Sequence, residues 1–176
     1  MAIKKRPGII KFGGVEQTVI GDDIVVGQKA PDFVIQKNDW TLSKAFKETK
    51  RKVRIIAAVP SLDTPVCDRE TRRFNEEAAK LGKNVVVMVV SMDLPVAQKR
   101  WCGAAGIDQV MTVSDVNKAD FGKKYGTLME PVRLERRAVF VVDKKRIVKY
   151  VAYMPANGEE PNYEEVLAAA KAASGK

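Results

Sequence analysis

Two cysteines and one arginine carry the chemistry open to this chain. Cys67 follows an apolar, strand-like run, in the segment Pro60-Ser61-Leu62-Asp63-Thr64-Pro65-Val66-Cys67. Pro65 has a fixed φ and no N–H, which suits the first position of a helix, and Thr64 before it fits the N-cap. Cys67 then falls in the first helical turn, where unpaired amide donors favour negative charge on sulfur. Cysteines so placed can ionise well below the free value of about 8.5, and the thiolate, unlike the thiol, attacks weak electrophiles. If the electrophile is a peroxide, attack on its terminal oxygen leaves a sulfenic acid and releases water or an alcohol. Arg137, at the start of a strand ending at Val142, is placed to reach the same pocket. Its guanidinium stays charged and offers several aimed donors to thiolate and peroxide oxygens.

Cys102 lies 35 residues further along, on a predicted short helix from Ala97 to Cys102 with Gly103 at or near its stop. A sulfenic acid on Cys67 can condense with such a thiol to a disulfide. A disulfide needs Cα atoms within about 7 Å, so helices holding the two cysteines further apart would have to unwind locally. Plainer readings exist for each residue. Cys67 could be a packed core thiol, against which stands the polar turn Asp68-Arg69-Glu70. Cys102 could be an unrelated thiol packed beside Trp101, and an arginine beginning a strand is commonly an ordinary surface residue. A permanent structural bridge is disfavoured in a cytosolic chain.

Alternating strands and helices must position these residues. Val53 to Val59 is a nearly continuous apolar run, as expected of a parallel strand covered on both faces. Val85–Val90, Val110–Val113 and Ala138–Val142 read as further strands, with Ile147–Tyr153 pairing with the last through the turn Asp143-Lys144-Lys145-Arg146. Between them Pro65–Leu81, stopped at Gly82, Asp115–Lys124 and Tyr163–Ala173 read as helices. Earlier, Val15–Ile20 and Ile24–Val26 flank Gly21-Asp22-Asp23 and predict a hairpin. Gln28–Ile35 reads as an edge strand entered through Pro31, and Trp40–Glu48 as a helix. The pattern predicts a three-layer α/β domain with helices on both faces. One domain over residues 1–176 is expected, with residues 1–26 as an N-terminal extension carrying the hairpin.

Composition narrows the function classes. Of 176 residues, 45% are hydrophobic and 30% charged, which fits a soluble globular protein with a sizeable core. No apolar run reaches the roughly 18 residues of a membrane span, and no apolar segment follows the basic start Met1–Pro7, so a cytoplasmic location is expected. Histidine is absent, which removes Ser-His-Asp and Cys-His catalysis and histidine metal sites. Two cysteines cannot build a four-thiolate zinc site, so neither metal nor cofactor is expected. The formal charge of +9 comes from scattered clusters such as Lys4-Lys5-Arg6 and Lys144-Lys145-Arg146. It fits a solubilising surface better than a nucleic-acid site, because no recognition motif accompanies it.

Three blocks in order, Pro60–Cys67, Asp93-Leu94-Pro95-Val96-Ala97-Gln98-Lys99-Arg100-Trp101-Cys102 and Arg137-Ala138-Val139-Phe140-Val141-Val142-Asp143, resemble the bacterial thiol peroxidases, a branch of the peroxiredoxins. The resemblance runs from the hairpin through Val26–Phe33 to Glu160–Tyr163 and so covers nearly the whole chain. It implies a thioredoxin-like fold with an N-terminal β-hairpin and a central mixed sheet flanked by helices. It further implies reduction of hydrogen peroxide and organic hydroperoxides, with Cys67 as the peroxidatic cysteine and Cys102 as the resolving one. By the same resemblance the two form an intramolecular disulfide, the atypical two-cysteine mechanism, which thioredoxin reduces. Thr64 matches the hydroxyl contacting thiolate and peroxide, Arg137 the active-site arginine, and Pro60 the proline opening the active-site loop. Pro65, with Val66, shapes the pocket. A homodimer is implied as well. One departure is Leu134-Glu135-Arg136, where the family has small or apolar residues before the arginine; the added charges could alter the arginine's setting or the dimer edge.

Two other functions compete. A thiol–disulfide oxidoreductase without peroxidase activity commonly carries Cys-x-x-Cys, whereas this chain has Cys67-Asp68-Arg69-Glu70. A basic nucleic-acid-binding module would show salt-sensitive binding without consuming peroxide.

Overall fold

The computed structural model describes residues 3–175. In chain order the elements are β1 (Lys5–Phe12), β2 (Val15–Ile20), β3 (Val34–Gln36), β4 (Leu42–Lys44), α1 (Ala45–Glu48) and β5 (Val53–Ala58). They continue with α2 (Pro65–Leu81), β6 (Val85–Ser91), α3 (Pro95–Ala105), β7 (Met111–Ser114) and α4 (Asp120–Lys124). The chain closes with β8 (Leu128–Met129), β9 (Leu134–Glu135), β10 (Ala138–Val142), β11 (Val148–Tyr153) and α5 (Tyr163–Ser174).

A seven-stranded mixed sheet runs β11-β10-β5-β6-β7-β3-β4. Its centre, β5-β6-β7, is parallel, because α2 and α3 supply the crossovers that parallel neighbours require. All six residues of β5 are buried, and the period of two divides its neighbourhood cleanly. Val53, Ile55 and Ala57 pack with Phe74 and Leu81 of α2 and Val166 and Ala170 of α5. Ile56 and Ala58 face Phe46 of α1 and Phe121 of α4 on the opposite side. This is the three-layer arrangement expected of the apolar runs, and the thioredoxin-like architecture that the resemblance implies. Arg54 interrupts the run yet stays buried, because Thr49 and the carbonyls of Thr49, Lys52 and Asp143 take its N–H groups.

Several boundaries differ from the sequence reading. The N-terminal hairpin is β1–β2, not Val15–Ile20 with Ile24–Val26. Its turn is Gly13-Gly14, both at positive φ, which is what a tight two-residue hairpin turn demands. Pro7, Gly8 and a register shift between Arg6 and Ile10 hide β1 from an alternation test. A second sheet, β1-β2-β8-β9, grows from this hairpin and feeds directly into Arg137. The expected edge strand shrinks to Val34–Gln36 and lies between β4 and β7 rather than at the edge.

Trp40–Glu48 is helical only from Ala45; Asp39 accepts hydrogen bonds from Thr41 N and Oγ1, and that turn starts β4 instead. Helix α3 runs through Gly103 to Gly106, which supplies the left-handed cap. Helix α4 begins at Asp120; Asp115 sits outside it and accepts from Phe121 N and Gly122 N at its start.

Candidate active site

β10 runs antiparallel to β5 with Ala138 opposite Ala58. Arg137 therefore lies beside the C-terminal end of β5, where the chain leaves the sheet through Pro60 and turns into α2. Pro60 is buried, and Pro65 takes the first helical position as expected. Cys67 follows in the first turn, and its side chain points inward to the sheet. It is 0% exposed and packed with Val59, Leu62 and Val139. The polar neighbours do not make its setting polar: Arg69 is exposed, while Glu70 turns inward and is itself fully buried. Thus Cys67 is packed as a core thiol would be, and it also meets a cation.

That cation is Arg137, whose Nη2 donates to Cys67 Sγ at 3.1 Å. Only 1% of Arg137 is exposed, so its charge needs local partners. Nη1 pairs with Glu70 Oε2, and Nε and Nη2 donate to the Asn157 carbonyl at 3.1 and 2.9 Å. The side chain of Asn157 accepts from the Arg137 main-chain N at 3.1 Å. Burial pushes the Glu70 carboxyl up to about 7 while the guanidinium pulls it down. Burial would lower Arg137, but Glu70 and Cys67 outweigh it and hold the guanidinium above its ordinary value.

Glu70 and Asn157 are the site residues missed from the sequence. Glu70 carried a usable signal, since a residue three after Cys67 shares its helix face. Asn157 carried none; a loop 20 residues after Arg137 brings it in.

Thr64 takes the N-cap position, but its hydroxyl does not cap the helix; Oγ1 donates to the Ser61 carbonyl at 2.9 Å. Pro65 is exposed and Val66 half-buried at the mouth of the turn. Cys102 is half-buried on α3, and its Sγ lies 3.3 Å from Thr112 Oγ1 on β7. Burial pushes its thiol up, and the Thr112 hydrogen bond opposes this. Both cysteines are free thiols. The structure therefore brings Cys67 and Arg137 together and holds Cys102 on a different partner. Trp101 packs against the core cluster that contains Cys67, with Arg72 over its ring at 5.8 Å.

The charged residues before Arg137 turn inward. Arg136 donates to Asp23 and to the Gly126 carbonyl and lies 4.0 Å over the Tyr153 ring. Glu135 is buried, accepts from Thr127 Oγ1 at 2.5 Å, and is held well above the carboxylate range by burial and Asp115. Among the described residues no cluster of histidine, cysteine, aspartate or glutamate is arranged to hold a metal ion. No described helix is long and apolar enough to cross a membrane.

Residues 25–167 match the Redoxin family. The thiol peroxidase of Oceanobacillus iheyensis is 50% identical over 158 residues, covering 90% of this chain and 95% of that protein. The chain belongs to the thiol peroxidases. That of Bacillus subtilis is 48% identical over 163 residues, covering 93% of this chain and 96% of its own length. Among solved structures, a peroxiredoxin-like protein from Aquifex aeolicus superposes with a TM-score of 0.84 at 39% identity, covering 98% of this chain and 99% of that one. A thiol peroxidase from Chromobacterium violaceum, at 21% identity and a TM-score of 0.78 over 89% of this chain and 91% of that one, shares the fold. Membership makes this thiol peroxidase an enzyme of cysteine-based redox chemistry.

Proposed function

We propose that Cys67 is the peroxidatic residue and that Arg137 is the group that activates it. The observation carrying this reading is the 3.1 Å contact from Arg137 Nη2 to Cys67 Sγ at the end of β5. A buried cation at hydrogen-bond distance stabilises the negative charge that the reacting sulfur carries and that passes to oxygen in the transition state. Of the five N–H groups of a guanidinium, four are committed to Cys67, Glu70 and Asn157. One on Nη1 is left for an incoming peroxide oxygen. Thr64 spends its hydroxyl proton on Ser61, so toward substrate its oxygen acts as an acceptor for the hydroperoxide O–H. Pro60 sets the path of the loop, and Pro65 and Val66 wall the pocket mouth.

The thiolate attacks the terminal oxygen of a hydroperoxide, the O–O bond breaks, and the leaving alkoxide or hydroxide takes up a proton. The sulfur becomes a sulfenic acid. The Cys102 thiol then displaces hydroxide from that sulfur, giving a Cys67–Cys102 disulfide and one water. A dithiol of the thioredoxin type returns the pair to two thiols and is itself oxidised to a disulfide. Cys102, with its thiol held up by burial, suits the role of a group that waits for the sulfenic acid. Thioredoxin as reductant, a cytoplasmic location, a single working domain and a homodimer rest on the family likeness.

The test is peroxide-dependent NADPH oxidation with thioredoxin and its reductase. The wild type is expected to turn over, Cys67→Ser to fall to background, and Cys102→Ser to oxidise once without recycling by thioredoxin. Unchanged turnover by Cys67→Ser would overturn the assignment.

A further inference from the structure

Disulfide formation requires both sulfurs to leave their present partners, Arg137 for Cys67 and Thr112 for Cys102. The segments that must move are the turn before Cys67 and helix α3, and one carboxylate holds both. Asp93 follows β6 at the head of α3. Its Oδ1 accepts from Ser61 Oγ at 2.7 Å and its Oδ2 from Leu62 N at 2.8 Å. Ser61 in turn receives the Thr64 hydroxyl on its carbonyl, at the N-cap of α2. The hold thus runs from Asp93 through Ser61 to the cap of the helix bearing Cys67.

The second arm reaches α3. Asp93 Oδ2 also accepts from Ser91 Oγ at 2.7 Å, and Ser91 Oγ accepts from Gln98 Nε2 at 3.0 Å. Gln98 is fully buried, one helical turn before Cys102, and donates as well to the Val113 carbonyl at 3.0 Å. The Asp93 carbonyl accepts from Ser114 Oγ at 2.6 Å. The β6–α3 junction is therefore anchored to the sheet through the buried side chain of Gln98, whereas the bonds from Asp93 to the Ser61–Leu62 turn are only partly buried and can be exchanged for water. A groove of about 360 Å³ separates the turn from α3, lined by Leu62, Asp63, Ala97 and Trp101 among others. The turn has room to move into it.

We propose that Asp93 is a positioning residue that latches the turn before Cys67 to the head of α3, and that its release from Ser61 and Leu62 sets the rate of disulfide formation. This rests on the Cys67–Cys102 chemistry above. The latched form presents Cys67 to peroxide on Arg137. The unlatched form frees the first turn of α2, so that Cys67 sulfenic acid and the Cys102 thiol can bond with loss of water. Hydrogen bonds to a charged acceptor are the stronger kind, and losing them on one arm shifts such an opening equilibrium by about tenfold.

The experiment is rapid mixing of the reduced chain with hydrogen peroxide, followed by tryptophan fluorescence, to which Trp40 and Trp101 both contribute, and by mass spectrometry of quenched samples. Wild type, Asp93→Asn and Ser61→Ala are compared. Asp93→Asn keeps the shape and loses the charge; Ser61→Ala removes one bond and leaves the α3 arm whole. In both variants the first oxidation of Cys67 is expected within about twofold of wild type, because neither side chain touches sulfur. Disulfide formation is expected about tenfold faster in Asp93→Asn and less so in Ser61→Ala, with correspondingly less over-oxidation to sulfinic acid.

Hydrogen exchange of the reduced proteins supplies a local readout. Amides from Ser61 to Cys67 are expected to exchange faster while those of β5 and β6 keep their protection. Unchanged disulfide rates in both variants, or exchange raised across the whole sheet, would overturn the latch alone. A wild-type chain that oxidises at Cys67 but forms no Cys67–Cys102 disulfide would overturn the latch together with the resolving role of Cys102.

Discussion

Cys67 and Cys102 stand on neighbouring helices over the same face of the sheet, yet their surroundings differ in kind. Cys67 is wholly enclosed and touches a guanidinium; Cys102 is half-enclosed and touches a hydroxyl. Enclosure alone disfavours a thiolate, as it does at Cys102. What separates the two is the second layer around Arg137, where Glu70 and Asn157 hold a buried cation in place and aimed. On the proposed assignment, the reactive thiol is marked by a fixed charge beside it rather than by exposure.

Removing the charge gives the largest effect on this contrast. Arg137→Ala is expected to slow oxidation of Cys67 by about 10²- to 10³-fold, the range for losing a preorganised electrostatic donor. Arg137→Lys should recover only part, because an ammonium cannot serve Cys67, Glu70 and Asn157 together. Stopped-flow rates with hydrogen peroxide check both, and an unaltered second-order rate in Arg137→Ala would remove the distinction drawn between the two thiols.

A smaller effect is expected one step further out. Glu70→Gln keeps an acceptor for Nη1 but loses the charge, so the same rate should fall by about fivefold. Loss of the difference between a charged and a neutral partner would show as a rate equal to wild type.

The smallest effect on the site, though not on the fold, belongs to the buried acids behind it. Burial lifts Asp115 to about 6 and Glu135 well above the carboxylate range. The folded state therefore binds these protons more tightly than the unfolded chain, and stability falls as pH rises from about 4 towards 6 and beyond. Glu135→Gln removes one acid from the pair and should flatten that fall. Peroxide reactivity should stay near wild type. Urea unfolding at pH 5 and pH 8 measures it; an equally steep fall in the variant would show that the pair does not carry the dependence.

How far the sequence reached depends on where the information lies. Val53–Val59 announced β5 because a doubly covered strand needs an unbroken apolar run, and Thr64-Pro65 announced the start of α2. The hairpin was misplaced because Gly13-Gly14 follows a strand broken by Pro7 and Gly8. Glu70 counts in the sequence only as part of a polar first turn; its spacing from Cys67 places it on the same helix face, but its role needs the buried cation beside it. Asn157 and the Asp93–Ser61 bond join residues 20 and 32 positions apart, and no local pattern encodes such pairs.

The division of labour between the two thiols is tested most directly by trapping the first oxidised sulfur. A single equivalent of hydrogen peroxide is added to the reduced chain with a sulfenic-acid-specific reagent present, and the adduct is located by mass spectrometry in the Cys102→Ser and Cys67→Ser proteins. The adduct is predicted on Cys67 in the first and is predicted to be absent from the second. An adduct on Cys102 in Cys67→Ser, formed as fast as the one on Cys67, would contradict the claim that the Arg137 cation selects the reactive sulfur.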